Sequence, residues 1–276
     1  MTVEELLVYG KQHIHSAHAK ILLAELIKKN VLELYNILND VIDDETANLY
    51  KQKIDLLKQG KPIQYVIGNV NFHGNKFIVN ENVLIPRFET EELVDYTVQY
   101  SKKFFTEPVD IIDLGCGSGV IGLSLENKIS TKSVDLVDIS EEALKIAETN
   151  KNNLSSNATL IKSDMWENIT NKYDIIISNP PYIKTTEEIE KIVKENEPHL
   201  ALYAGEDGLD CYRKIFKDIS KYMKEKCLIA LEIGYTQAND IINIINDNLS
   251  DVTIEVKKDL SEKDRMIFIF KNLNNK

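Results

Sequence analysis

The sequence predicts an α/β protein with a mainly parallel sheet, preceded by a small helical bundle and a β-hairpin linker. Three successive patterns along the chain support this. Apolar residues recur at three- and four-residue steps before Gly68, alternate singly with polar residues from Asn69 to Arg87, and then form short runs separated by helical patterns. Regular alternation of strands and helices is typical of parallel sheets covered on both faces.

The first segment, residues 1–68, is predicted to be a bundle of four or five short helices. Ile14, Ala17 and Ile21 share one helical face, and Gly60 stands where a turn is expected. Few β-rich stretches interrupt this periodicity. We therefore expect a separate domain of amphipathic helices.

Residues 69–87 are predicted to form a hairpin that links two domains. Phe72 and Phe77 are apolar positions of the alternating pattern, and Gly74-Asn75 supplies a turn between them. The third segment, residues 88–276, begins with Thr90 as the expected N-cap of a helix that runs to about Lys103.

The third segment then supplies the sheet and the helices that cover it. Seven strands are predicted at Val109–Leu114, Ser133–Val137, Ala158–Ile161, Tyr173–Ser178, Cys227–Ile233, Val252–Val256 and Met266–Phe270. Helices are predicted between them at Val120–Asn127, Glu141–Asn150, Leu209–Tyr222 and Gln237–Asp247. The last two strands are expected to form an antiparallel edge.

Composition narrows the classes of function. The 276 residues carry a formal net charge of −11 with a pI near 5.1, which disfavours a broad electrostatic hold on nucleic acid. The three cysteines form no CxxC pair and have no histidine cluster nearby, so no metal site is predicted. No apolar run is long enough for a bilayer and the first residues carry acids, so we expect a cytoplasmic protein that does not contact a membrane.

A glycine-rich turn follows the first predicted strand of the third segment. It comprises Gly115, Cys116, Gly117, Ser118 and Gly119, and it opens a helix. Glycines there permit a tight turn and the close approach of a ligand to backbone N–H groups. Cys116 is expected to pack as a small residue, because no histidine is placed to activate its thiol.

An acid completes this pattern. Asp138 ends the second strand, where its carboxylate can accept hydrogen bonds from both hydroxyls of a ribose. Because Gly117 to Gly122 also fits the dinucleotide pattern, the loop and the acid indicate an adenosine-containing ligand without deciding between S-adenosylmethionine and a nicotinamide cofactor.

The turn after the third strand offers groups for the base of such a ligand. Asp164 could accept from an adenine amino group, while Met165 or Trp166 packs on the ring. Trp166 could equally fill a gap between helix and sheet, and the sequence leaves these interpretations open.

Asn179-Pro180-Pro181-Tyr182 ends the fourth strand and indicates the chemistry. The Asn179 side-chain oxygen and the Pro180 carbonyl can each accept one N–H of a substrate NH₂ group, and so aim the nitrogen at an activated methyl group. Pro181 restricts the backbone, and Tyr182 offers a flat face to a planar acceptor. A strand-ending turn is the alternative interpretation of the tetrapeptide.

With these residues the chain resembles the release factor glutamine methyltransferases, the HemK-type enzymes. The resemblance extends over nearly the whole chain and includes the glycine loop, the Asn179–Tyr182 motif, Pro86-Arg87, Glu89-Thr90-Glu91 and Glu232-Ile233-Gly234. Phe88 departs from it, because the family usually has proline there. Met165 is a second departure, standing where a large aromatic residue often follows the acid.

The resemblance implies a Rossmann-like domain that uses S-adenosyl-L-methionine and releases S-adenosyl-L-homocysteine. It implies that residues 115–119 wrap the methionine part, that Asp138 holds the ribose, and that Asn179 to Tyr182 hold the carboxamide of the glutamine in a Gly-Gly-Gln loop. Peptide chain release factors are then the protein partners, and the helical segment helps to dock them. We expect a monomer that makes no direct contact with nucleic acid.

Two other functions remain compatible with the residues. The Asn-Pro-Pro-Tyr chemistry also suits an exocyclic amine of DNA or ribosomal RNA, although the acidic composition weighs against it. A non-catalytic module that binds an adenosine cofactor is the third possibility.

Overall fold

The computed structural model describes residues 1–273, so residues 274–276 of the predicted third segment lie outside the described residues. The chain forms two compact units. The first comprises residues 1–69 together with 190–196, and the second comprises residues 70–189 together with the described residues from Glu197 onward.

The first unit is helical, as the sequence predicts. Its helices are α1 (Val3–His13), α2 (Ser16–Leu26), α3 (Asp44–Lys58) and α4 (Ile63–Ile67), with a 3₁₀ turn at Glu33–Asn36 and, from a later part of the chain, α8 (Lys191–Asn196). α1 begins at a capping box, because the Thr2 hydroxyl accepts from the Glu5 N–H and the Glu5 carboxylate accepts from the Thr2 N–H. The core of the unit includes Leu22, Tyr50 and Ile54, which are fully buried.

The second unit begins with a two-stranded hairpin and continues with a seven-stranded sheet and its helices. Its strands are β1 (Asn69–Phe72), β2 (Asn75–Ile78), β3 (Val109–Leu114), β4 (Thr131–Asp138), β5 (Thr159–Lys162), β6 (Tyr173–Ser178), β7 (Met223–Glu232), β8 (Val252–Lys258) and β9 (Asp264–Lys271). Its helices are α5 (Phe88–Phe104), α6 (Val120–Glu126), α7 (Glu141–Asn153), α9 (Asp210–Asp218) and α10 (Ala238–Asn248). Asn69, the first residue of β1, is counted with the first unit.

The strand order in the large sheet is β5-β4-β3-β6-β7-β9-β8. The first five pair in parallel, and β9 lies antiparallel between β7 and β8. The predicted α/β class and the mostly parallel seven-stranded sheet are therefore confirmed. The predicted antiparallel pair also forms, with β9 one strand in from the edge.

Both faces of the sheet are covered. Residues of α5, α6 and α7 pack on the face that carries Ile111 and Ile175, whereas residues of α9 and α10 pack on the face that carries Ile112 and Ile176. All six residues of β3 are buried, which explains why its apolar residues do not alternate with exposed polar residues. In the described residues 1–273, no helix has both the length and the apolar character that a membrane span requires.

One local expectation is wrong. Thr90 is not the N-cap of α5, because the helix begins at Phe88 and Arg87 occupies the cap position. Thr90 lies in the first turn, where it is 2% exposed, and its hydroxyl donates to the Glu232 carboxylate at 2.7 Å. Because this hydroxyl donates to Glu232 at the end of β7, it does not cap the backbone of its own helix.

Candidate active site

A cavity lies in the second unit where the chain reverses its direction of travel across the sheet. β4 and β5 extend from one side of β3, whereas β6 pairs with its other side. The loops after β3 and β6 therefore separate, and they leave a crevice at the carboxyl ends of the strands. The lining includes residues 115–118 of the glycine loop, Asp138, Asp164, Met165 and Asn179. Gly119 is not part of it, because a Cβ there would lie against the core residues Leu123, Ala147 and Leu136.

The glycine loop exposes its backbone to this cavity. Gly115 and Gly117 have φ values of 70° and 53°, and a Cβ added to either would meet nothing within 4 Å. The absent side chains thus leave a cradle beside the backbone. The Val137 carbonyl accepts from the N–H groups of Gly115 and Cys116 at 2.8 and 2.9 Å, which fixes the loop to the end of β4.

The Asp138 carboxylate is held at the cavity by two backbone donors. The N–H of Gly117 donates to Oδ2 and the N–H of Ser140 donates to Oδ1, each at 2.8 Å. Burial raises the pKa of Asp138, and the backbone donors partly oppose that shift. Each carboxylate oxygen has more than one acceptor position, so Asp138 can still accept hydrogen bonds from a ligand.

The two neighbouring candidates for the base differ in location. Met165 lines the cavity, with φ at 49°, and Asp164 beside it forms an ion pair with Lys214 at 2.7 Å. Trp166 lies in the core, where its Nε1–H donates to the Ile215 carbonyl at 2.8 Å and its ring stacks on Tyr222. Of the two candidates, only Met165 lines the cavity, and the position of Trp166 favours the interpretation that it fills a gap between helix and sheet.

Cys116 and Ser118 also belong to the cavity lining, though both are largely buried. Burial raises the pKa of the Cys116 thiol well above its usual value, and Asp113 and Asp138 add to the shift. The thiol therefore stays protonated. The Ser118 carbonyl accepts from the Asn150 side chain at 2.9 Å, which holds the loop against α7.

The Asn-Pro-Pro-Tyr segment contributes Asn179 and Pro181 to the lining. Pro180 is buried, and Tyr182 is partly buried against the core beside β7. Burial, with the nearby Glu232 charge, raises the pKa of Tyr182 to about 12, so its hydroxyl is protonated near neutral pH. The Tyr182 carbonyl accepts from the Gln237 side chain at 2.9 Å, which fixes the backbone just after the motif.

Sequence reasoning missed a set of polar residues around Asn179, of which Thr90 also lines the cavity. The Asn179 Nδ2 donates to the Thr90 hydroxyl at 3.2 Å, and that hydroxyl donates to the Glu232 carboxylate. Glu232 is the last residue of β7, and Asn179 directly follows β6. An acid at the end of an apolar strand was therefore the signal by which the sequence could have indicated Glu232. Gln237 carried no such signal, because its contacts with Tyr182 and Gly208 join residues that are distant along the chain.

Two buried carboxyls beside the cavity have raised pKa values. Burial raises the pKa of Asp113 to about 7, opposed by the Gly122 N–H and assisted by Asp138. Burial likewise raises the pKa of Glu232 to about 7, while Thr90 and Arg265 favour its charged form. One oxygen of Asp113 has no hydrogen-bond partner among residues 1–273.

Two protein families match separate parts of the chain. Residues 10–68 match the family described as the PrmC N-terminal domain, and residues 92–202 match the Methyltransferase small domain. The release factor glutamine methyltransferase of Bacillus subtilis (strain 168) is 38% identical over 237 residues, covering 83% of this chain and 82% of its own. The enzyme of the same name from Clostridium acetobutylicum is 36% identical, covering 90% and 89%.

Solved structures share the fold at low sequence identity. A methyltransferase from Pyrococcus furiosus aligns with a TM-score of 0.52 and 16% identity, over 70% of this chain and 87% of its own. A 16S rRNA methyltransferase of T. thermophilus, solved with AdoMet and guanosine, aligns with a TM-score of 0.53 and 14% identity, over 74% of this chain and 50% of its own.

Proposed function

The chain belongs to the family of release factor glutamine methyltransferases, and on that premise we propose its reaction. It transfers a methyl group from S-adenosylmethionine to N5, the side-chain amide nitrogen, of the glutamine in the Gly-Gly-Gln loop of peptide chain release factors. The observation that carries the proposal is that Asn179 shares one cavity with the glycine loop and Asp138. A group for holding an amide therefore lies beside groups for holding an adenosine cofactor.

The residues of the cavity fit this cofactor. Gly115 and Gly117 leave the room that a Cβ would fill, and Asp138 retains acceptor positions for the ribose hydroxyls. Asp164 can accept from the adenine amino group, and Met165 lies beside it to pack on the ring. When bound, S-adenosylmethionine would supply an electrophilic methyl group. The sulfur of the cofactor would keep the electron pair of the broken C–S bond.

Asn179 and Pro180 act on the acceptor. An amide nitrogen is a poor nucleophile, because its lone pair is delocalised into the carbonyl. The Asn179 Oδ1 and the Pro180 carbonyl each accept one N–H of the substrate NH₂, which fixes the nitrogen and turns its lone pair toward the methyl group. That lone pair forms the new N–C bond, and one N–H proton then leaves to water.

Orientation supplies much of the acceleration in this scheme. Well-aligned intramolecular reactions gain about 7–11 kcal/mol over their bimolecular counterparts. Pro180 and Pro181 restrict the backbone at the acceptor, and Gln237 holds the carbonyl of Tyr182 just beyond it. Residues 88–276 carry this chemistry in the proposal, residues 69–87 link the domains, and residues 1–68 dock the release factor.

The direct test is methyl transfer to purified release factor. We expect labelled methyl to reach a factor with an intact Gly-Gly-Gln loop and not one with alanine for that glutamine. Persistent labelling of the alanine form would reject the substrate. Labelling of DNA or ribosomal RNA instead, with affinity that falls steeply as salt rises, would assign the enzyme to nucleic acid.

A second variant tests the role of Asn179. Asn179→Ala is expected to reduce turnover strongly while calorimetry shows nearly unchanged affinity for S-adenosylhomocysteine, because its oxygen serves the acceptor. Loss of cofactor affinity with retained turnover would contradict the assignment.

A further inference from the structure

We infer that Thr90 and Glu232 are positioning residues that fix the carboxamide of Asn179 with its oxygen toward the acceptor. The inference rests on the proposed function, in which that oxygen receives a substrate N–H. The two atoms of a carboxamide that form hydrogen bonds have similar size but opposite roles. Asn179 can serve as an acceptor only if its NH₂ group is held elsewhere.

The hydrogen-bond chain gives the direction. An ionised Glu232 has only acceptors, so the Thr90 hydroxyl must donate its single hydrogen along the 2.7 Å contact. Thr90 then offers Asn179 only lone pairs, and the 3.2 Å contact requires the NH₂ group of Asn179 as donor. A flipped carboxamide would set oxygen against oxygen, so Oδ1 is left for the substrate.

The three residues come from separate elements, and two are almost completely buried. Thr90 lies in α5, Glu232 ends β7 and Asn179 follows β6, with Thr90 at 2% and Glu232 at 1% exposure. Water therefore competes little for the hydrogen bond between Thr90 and Glu232. Buried supporting residues of this kind keep the groups that contact a substrate in the geometry that the reaction needs.

The buried acid is available in its charged form at alkaline pH. Burial raises the pKa of Glu232 to about 7, while Thr90 and Arg265 favour the carboxylate. At about pH 8.5 the carboxylate predominates and imposes the direction described above. The network is therefore tested at that pH.

Nuclear magnetic resonance tests the network without any substrate. In protein labelled with ¹⁵N at asparagine, the side-chain signal of Asn179 is identified by its loss in Asn179→Ala. Thr90→Val, which keeps the shape and removes the hydroxyl, is expected to shift that signal, whereas Thr90→Ser restores it. Thr97→Val is the matched control, because Thr97 is also buried in α5 but its hydroxyl donates to the Leu93 carbonyl at 2.7 Å.

Kinetics then tests whether the network acts through Asn179. Thr90→Val is expected to slow single-turnover methyl transfer about 100-fold, because the Asn179 oxygen would no longer be held in position to accept the substrate N–H. The affinity for S-adenosylhomocysteine is expected to stay unchanged. In an Asn179→Ala background, Thr90→Val is expected to add nothing, since the group that it positions is gone. Thr97→Val is expected to keep the parent rate.

Three results would overturn the inference. They are an Asn179 signal that ignores Thr90→Val, a slowing that Thr97→Val reproduces, and equal slowing by Thr90→Val with and without Asn179. If Thr90→Val does not fold, Thr90→Ala is measured in its place. If the parent protein transfers no methyl to release factor, the proposed function fails, while the NMR result still decides the network.

Discussion

Replacement of Gly208 by alanine tests how the backbone of the Asn-Pro-Pro-Tyr segment is held. Gly208 has φ of 76°, and a Cβ there would lie 2.4 Å from the Tyr182 carbonyl oxygen and 2.6 Å from the Gln237 side chain. A side chain can rotate away, but the Tyr182 carbonyl belongs to the backbone next to the acceptor site. We therefore expect Gly208→Ala to displace the motif as well as to destabilise the protein.

The magnitude has two parts. A residue with Cβ in the left-handed region costs about 1–2 kcal/mol. Overpacking against the fixed backbone adds about 1–3 kcal/mol. Gly74→Ala isolates the first part, because Gly74 lies in the same unit with φ of 79° and a Cβ there would meet nothing within 4 Å.

Urea unfolding of the parent and both variants measures the free energies of unfolding. Gly208→Ala should lose about 1–3 kcal/mol more than Gly74→Ala, the overpacking part alone. It should also slow methyl transfer, whereas Gly74→Ala should not. Equal losses of stability in the two variants would show that the approach of Gly208 to Tyr182 has no energetic consequence, and would refute the reasoning.

Three further predictions concern residues in the cavity and in the core beside it. Asp138→Ala should weaken S-adenosylhomocysteine binding by about 1.5–3 kcal/mol per lost hydrogen bond to a charged group, as measured by calorimetry; unchanged affinity would exclude Asp138 from the ribose site. Trp166→Phe should lower the melting temperature, because it loses the hydrogen bond to Ile215, without changing that affinity, whereas Met165→Ala should weaken binding; the reverse pattern would restore Trp166 to the ligand. Burial raises the pKa of Asp113 to about 7 from its usual value of 3.8, so between these values the folded protein holds a proton there that the unfolded chain releases. The free energy of unfolding therefore falls as pH rises from about 4 to 7. Asp113→Asn should remove a pH-dependent loss of about 4 kcal/mol across that range in urea titrations, and an unaltered pH profile would contradict this.

The sequence predicted most of the fold because the deciding signals are local. β3 and β6 were predicted with their observed bounds, since each is a short apolar run that ends at a turn. Other bounds differ by a few residues. β7 begins at Met223 instead of Cys227, and Met223 pairs with Tyr173 across the sheet, which no local pattern reports.

The motifs of the candidate site were also visible, because their chemistry depends on residue type and order. Glycines after a strand, an acid at the end of the next strand and Asn179 after a later one each carry their own signal. Membership in the family confirms the resemblance that these motifs suggested.

Tertiary structure alone decided which groups meet. Local sequence does not reveal that β6 lies beside β3, and this pairing brings Asn179 to the glycine loop. Thr90 is 89 positions from Asn179 and 142 positions from Glu232 along the chain, so no local sequence pattern indicates that these residues are in contact. Adjacent residues can face opposite environments in a turn, which is why only the structure separates Met165 in the cavity from Trp166 in the core. The sequence thus determined the elements and the reactive groups, and packing of distant segments determined how those groups are oriented.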